Sequence, residues 1–277
     1  MFITIVKPLR IKRLLSEVPN PLSMKRYPSD LTDSQWQFIK NIIDNGRKRK
    51  YSVRQIVNAI LYITKSGCQW RMLPDSFPPW QSVYYYFRRW KYYGIIEEIH
   101  DKLVEKTRLR KDKKASPSVG IIDSQSVKTV NICQGNIGYD GGKKTKGRKR
   151  HIVVDTLGLL IAVVIQPANL HDSKGAFDVL LALKDKYFNA IKKVFADGGY
   201  RGDTLKEWAF KTIGCAIEVV KRNEHDKFKV LPKRWIVERT FAWISFQRRM
   251  SKDYERLSGS SIAFTQLSMI RVMLNKF

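Results

Sequence analysis

Apolar residues recur at helical spacing through the first third of the chain. Trp36, Phe38, Ile39, Ile42 and Ile43 form one stripe, and Thr32-Asp-Ser-Gln35 precedes it with the residue types of a capping box. This predicts a first helix ending near Gly46. Ser52-Val-Arg-Gln55 repeats the signal before Ile56, Ala59, Ile60 and Ile63, and Gly67 is placed as a stop, which predicts a second. After a proline-rich loop from Leu73 to Pro79, Ser82 to Lys91 predicts a third helix closed by Gly94, and Ile95 to Arg110 a fourth. Four short helices in this order suit a helix-turn-helix-like module.

The period changes after the charged stretch Arg108 to Lys114 and Ser116-Pro117-Ser118. Val119-Gly-Ile-Ile-Asp123 reads as a buried strand, and His151 to Asp155 with Leu159 to Gln166 as a hairpin turning at Thr156-Leu-Gly158. Ser173 to Tyr187 has helical spacing. A strand (Ile191 to Asp197), a helix (Asp203 to Lys211), a strand (Cys215 to Val220) and a last amphipathic helix (about Pro232 to Phe246) complete the pattern. The order βββαβαβα is that of an α/β fold with a ribonuclease H-like mixed sheet. The expected organisation is an N-terminal extension over 1–23, with Met24 as an alternative start, a helical domain over 24–110, a linker over 111–118 and a ribonuclease H-like domain over 119–277.

Charge adds a partner to this picture. Lys and Arg number 52 against 25 Asp and Glu, a formal charge of +27, and the sequence pI is near 10.1. Such an excess calls for a polyanion. Charge alone does not separate DNA from RNA, and an acidic lipid surface is the alternative. Cys68, Cys133 and Cys215 are far apart and form no Cys-x-x-Cys pair, which argues against a disulfide framework or zinc site. No apolar run approaches the roughly 20 residues of a membrane span, so the expected location is cytoplasmic.

The acids decide the chemistry. Asp123 is read at the C-terminal end of the first strand and Asp197 at that of the fourth, 74 positions later, and in this topology the two strands are neighbours. Glu238 follows 41 positions further on, within Arg234-Trp-Ile-Val-Glu-Arg-Thr-Phe-Ala-Trp243, on a helix able to cross the sheet to the same rim. Hard oxygen donors with room for water suit Mg2+, with Mn2+ as a substitute. Two such ions about 4 Å apart activate a nucleophile and stabilise a leaving oxygen. The plain alternative is that the aspartates cap helices and that Glu238 pairs with Arg234 one turn earlier. Asp155, Asp172, Asp203, Glu207 and Glu224 compete as acids. Asp172 reads as a cap of its helix and His151 as structural. Gly198-Gly199 suits either a close phosphate or a tight turn, and Arg234 either orients Glu238, grips DNA or forms an ion pair.

For DNA contact the candidates are the tract Lys143, Lys144, Lys146, Arg148, Lys149 and Arg150, which leads into the second strand, with Lys128, Tyr200 and Arg201 near the acids. Arg88, Arg89 and Lys91 stand on a helix whose Phe87 and Trp90 read as core. Arg234, Arg248 and Arg249 extend the basic surface around and beyond Glu238.

With these residues in view, the sequence resembles bacterial insertion-sequence transposases of the DDE class, and within them insertion sequence family five. The resemblance runs from Tyr27 to Phe277. It is carried by Tyr27-Pro-Ser-Asp-Leu-Thr-Asp, Gly67-Cys-Gln-Trp-Arg-Met-Leu-Pro, Pro78-Pro-Trp-Gln-Ser-Val-Tyr-Tyr-Tyr-Phe, Asp123-Ser-Gln-Ser-Val-Lys128, Gly147-Arg-Lys-Arg-His-Ile-Val-Val-Asp, Ala196-Asp-Gly-Gly-Tyr-Arg-Gly and the Arg234 stretch. It implies that Asp123, Asp197 and Glu238 are the catalytic, metal-holding triad, that the N-terminal helices bind terminal inverted repeats in double-stranded DNA, and that a homodimer brings two ends together before joining them to target DNA. Related enzymes carry a Tyr, Arg, Glu, Lys signature around the third acid. Here Arg234 and Glu238 are kept, while Leu231 and Ser245 stand at the tyrosine and lysine positions. The rival expectations are a catalytically silent DNA-binding descendant and a structure-selective nuclease of the same fold.

Overall fold

The computed structural model describes residues 27–43, 46, 49–187, 189–220 and 234–276. The expectations placed on 1–23, Met24, Glu224, Leu231 and the Pro232 start of the last expected helix lie outside them. Helix α1 (Asp33–Ile43) begins with the expected reciprocal cap: the Gln35 amide donates to Thr32 Oγ1 at 3.2 Å and the Thr32 amide to Gln35 Oε1 at 3.0 Å. Helix α2 (Val53–Ser66) starts without a side-chain cap from Ser52. It stops at Gly67, whose φ of 72° is the left-handed turn that glycine adopts freely. Helices α3 (Trp80–Tyr92) and α4 (Ile95–Leu109) follow, with Phe87 and Trp90 buried as expected.

The second part is a six-stranded mixed sheet. Strand β1 (Val119–Lys128) pairs antiparallel with β3 (Thr145–Val154), and β3 pairs in turn with β4 (Leu160–Pro167). A short strand, β2 (Gly138–Asp140), adds to the start of β3 and is not expected from the sequence. On its other edge β1 runs parallel to β5 (Lys193–Ala196), and β5 parallel to β6 (Ala216–Val219). Helices α5 (Asp172–Tyr187) and α6 (Asp203–Ile213) sit between the strands in sequence, and α7 (Arg234–Ser245) follows them. This mixed α/β architecture fits a ribonuclease H-like fold.

The sheet is covered on both faces. Cross-strand pairing of Ser124 with His151 and of Gln125 with Arg150 sorts the side chains. The Ser124 and His151 face lies under α5, where a Cβ on Gly175 would come within 2.5 Å of His151 Nε2. The Asp123 and Arg148 face lies under α7 and a further helix, α8 (Ser258–Leu274), whose Ser261 accepts from Arg148. The sequence pattern ends its helices at Phe246 and does not include α8. Twelve of the residues in α8 are buried, because it is enclosed by α2, α3, α4, α7 and β4. A helix surrounded in this way shows no polar face from which to read a period.

The hydrophobic core runs without a break from Leu31 and Ile39 through α4 and α8 into β3 and β4. Polar links cross the 111–118 segment as well. Arg108 pairs with Asp155, both buried, Gln35 Nε2 donates to the Leu274 carbonyl at 2.7 Å, and Arg271 donates to the Ser29 carbonyl at 3.0 Å. Among the described residues no helix is long and apolar enough to cross a membrane.

Candidate active site

Strands β1 and β5 stop pairing at Ile121 with Phe195. Continuing that register by two residues sets Asp123 beside Asp197, just past the end of β5. The expectation of neighbouring acids on neighbouring strands holds, with one correction: β1 continues to Lys128, so Asp123 stands in mid-strand rather than at its end. Both carboxylates accept from local backbone, Asp123 Oδ1 from the Ser124 amide at 2.7 Å and Asp197 Oδ1 from the Gly199 amide at 2.9 Å. Gly198-Gly199 thus form part of the turn Gly198–Tyr200 that caps back onto Asp197. Burial pushes the Asp123 carboxyl up to about 6, the Ser124 amide opposes that, and the neighbouring Asp197 adds to it. A narrow cleft beside the pair is lined by Val220, Arg234 and Val237.

Glu238 stands on α7 and reaches this rim through Arg234. Arg234 Nε lies 3.1 Å from Glu238 Oε1, and its Nη2 lies 4.0 Å from Asp197 Oδ2. The ion pair weighed as the plain alternative is therefore present, and the same guanidinium touches both acids. As placed, no three His, Cys, Asp or Glu side chains among the described residues stand close enough to hold an ion. Breaking the Arg234–Glu238 pair costs little. The Glu238 side chain is 55% exposed and that of Arg234 44%, and an exposed helical pair of this kind is worth about 0.3–0.5 kcal/mol.

The donor set fits a hard divalent cation. Two carboxylates lie near one another, one of them in an environment that penalises its charge, and a third shares the Arg234 guanidinium with one of the pair. Without positive charge between them the pair is electrostatically unfavourable, which is the condition that a cation relieves.

A second layer lies behind the acids, on the α5 face. Asp172 opens α5, yet its side chain does not cap the helix. It accepts from Ser124 Oγ at 2.7 Å and from Lys149 Nζ at 2.9 Å, while His171 Nδ1 accepts from the Ser173 amide. Although burial pushes the Asp172 carboxyl up, these two donors hold it below the ordinary range. Tyr200 is buried beside the Ser124 side chain. That burial corrects the expectation that Tyr200 meets DNA. His151 is fully buried and pushed down to about 4 by burial, which agrees with a structural role.

The basic candidates separate by burial. Arg88, Arg89, Lys128, Lys143, Lys144, Lys146, Arg201, Arg234 and Arg248 are exposed. Lys91 is half-buried and donates to Ser260 Oγ. Four others turn inward, which corrects the expectation that they meet DNA. Arg148 pairs with Asp253 and donates to the Glu255 carbonyl at 2.8 Å. Lys149 is held by Asp172, and Arg249 by Glu255 at 2.6 Å. Arg150 donates to the Met250 carbonyl at 3.1 Å, and burial lowers it to about 10. The cause is strand geometry. The tract is part of β3 rather than its approach, and a central strand sends alternate side chains into two covered faces. Lys128, Lys144 and Lys146 instead line a groove of about 550 Å³ with Ile137 and the exposed ring of Tyr139.

Comparison with known proteins gives the family. Residues 114–273 match the family model of the transposase DDE domain, and residues 31–100 that described as "Putative transposase of IS4/5 family". The chain is 28% identical over 135 residues to a "Putative transposase for insertion sequence element IS402" from Burkholderia cepacia, covering 47% of this chain and 64% of that protein. It is 30% identical over 73 residues to an "Uncharacterized protein y4sN" from Sinorhizobium fredii, covering 25% of this chain and 58% of that protein. The matches thus span less than two thirds of the length of either relative.

Proposed function

The chain belongs to the transposases built on a DDE domain, and we propose that it binds the terminal inverted repeats of an insertion element, cuts its ends and joins them to target DNA. The observation that carries this reading is the pairing of Asp123 and Asp197 beyond the end of β5, with Arg234 between Asp197 and Glu238. Asp123, Asp197 and Glu238 are the residues that would hold Mg2+ or Mn2+. When bound, the ions supply an activated oxygen nucleophile and charge stabilisation at the leaving oxygen.

The chain's own side chains do the rest. Arg234 holds Glu238 in reserve, and once Glu238 swings toward the aspartates the guanidinium is released to grip a phosphate through paired N–H donors. The Gly199 amide keeps Asp197 oriented. Arg201, whose guanidinium lies against Gly198, extends the cationic rim, and Lys143 adds positive charge close enough to act on Asp123. Lys128, Lys144 and Lys146 offer the neighbouring groove to a DNA backbone. Arg88 and Arg89, exposed on α3 within a helix-turn-helix-like module, are assigned to inverted-repeat DNA and Arg248 to the surrounding phosphates. A homodimer pairing two ends, at the nucleoid of a bacterial cytoplasm, completes the reading.

The test is a cutting and joining assay with the DNA that flanks the coding sequence, in Mg2+ and in Mn2+. Joined products from the wild type, lost in Asp123→Ala and Glu238→Ala while end binding persists, support the proposal. Binding without any product points to a silent descendant, and cutting without joining to a nuclease. Products that survive Asp123→Ala refute the site.

A further inference from the structure

Beyond Ile121, β1 has lost β5 as a neighbour, and until the Asp253 amide meets the Lys128 carbonyl at 2.8 Å its ladder is held along one edge, by β3. Asp123 stands on that one-sided stretch, so something other than the ladder must fix it relative to Asp197. The side chains on the α5 face supply the connection. Ser124 Oγ donates to Asp172 Oδ1 at 2.7 Å, and Ser126 Oγ donates to Asp140 Oδ2 at 2.5 Å. Lys149 Nζ stands between the two carboxylates, 2.9 Å from Asp172 and 3.9 Å from Asp140. It is anchored by the Leu170 carbonyl at 2.7 Å. Alternate residues of β1 are thereby latched to one buried lysine.

Asp172 also reaches the turn of the other acid. Its Oδ2 lies 3.5 Å from the position that a Cβ on Gly199 would take, and Asp197 Oδ1 lies 3.1 Å from the same point. The carboxylate therefore leans on the turn that carries Asp197. Next to that glycine is Tyr200, 1% exposed, with its side chain beside that of Ser124. Asp123, Asp172 and Asp197 are all near enough to oppose its ionisation.

We propose that Asp172 is a positioning residue of the acid site, tying the strand of Asp123, through Ser124, to the turn of Asp197 and so setting the distance between the two carboxylates. This rests on the reading of Asp123 and Asp197 as cation ligands. Groups that orient ligands from behind change metal affinity or activity by about 10–100-fold when removed.

The experiment follows thermal unfolding of the full chain without DNA as Mn2+ or Mg2+ is added, alongside the cation dependence of end cutting. Asp172→Asn is expected to raise the cation midpoint at least about tenfold in both measurements. Ser124→Ala should shift it in the same direction, and Ser124→Thr, which keeps the hydroxyl, should restore it. A purely structural Asp172 lowers the melting temperature without moving the midpoint, and a midpoint within twofold of wild type overturns the proposal. If Asp172→Asn does not fold, an unshifted midpoint in Ser124→Ala overturns it equally. Absence of any cation effect on the wild type, matched by Asp123→Asn, instead refutes the acid-site reading itself.

Discussion

Replacing Asp123 by Asn should make the metal-free protein more stable while removing its activity. Burial lifts this carboxyl from the ordinary 3.8 to about 6, which corresponds to about 3 kcal/mol held against the folded state once the group is ionised. Asn keeps an oxygen to accept the Ser124 amide and carries no charge to desolvate. That figure is already net of the attraction of Arg234 and Lys143, and the gain is bounded above by it because the Asn amide brings two N–H donors into the same buried place. For a chain of this size, about 3 kcal/mol is a rise of up to about 6 °C in melting temperature. The sign with pH follows from the raised folded value. Above pH 6 the wild type bears the full cost. As pH falls from 6 toward 4 the folded wild type takes up a proton before the unfolded chain does, and the gap between the two proteins closes. Calorimetry of both proteins at pH 8 and pH 4, with chelator, measures this. A variant no more stable than wild type at pH 8, or a gap that survives unchanged to pH 4, refutes the reasoning.

Other outcomes concern the buried ion pairs, the sheet packing and the groove. Asp155→Ala leaves Arg108 buried without its carboxylate, and should cost about 3–5 kcal/mol, seen as a lower denaturant midpoint. Gly175→Ala drives a methyl to within 2.5 Å of His151 Nε2 and Gln166 Oε1; overpacking of this kind costs about 1–3 kcal/mol, read in the same titration. Substituting Lys128, Lys144 and Lys146 by Ala should flatten the log–log salt dependence of DNA binding by about 0.9 for each phosphate that is no longer neutralised, with no change in melting temperature. Arg148→Ala should do the reverse, lowering stability through the unpaired Asp253 before any effect on salt dependence appears.

That Asp123 and Asp197 fall on neighbouring strands is legible because an apolar run leads into each of them, and topology does the rest. The helices of the first third are legible from their apolar stripes, with a capping box at Thr32 that forms and one at Ser52 that does not. The basic tract misleads because charge reads as surface. Arg148, Lys149 and Arg150 are inside because Asp253, Asp172 and the Met250 carbonyl come from distant parts of the chain to meet them, and no local pattern announces partners 23 to 105 positions away. Helix α8 escapes for the complementary reason, since burial on all sides erases periodicity. Asp172 reads as a cap from its place at a helix start, and only the folded sheet brings Ser124 and Lys149 to it.

Helix α8 fills the seam between the first helices and the sheet. A ribosome releasing this protein has made every residue of the acid site before α8 emerges, yet the seam it occupies stays open until then. Shortened products that stop after Glu238 would carry all three candidate acids on a body with an apolar trench along α4 and β4. Completion of α8 therefore closes the joint between the first helices and the sheet that the Arg108–Asp155 pair alone leaves open on its apolar side.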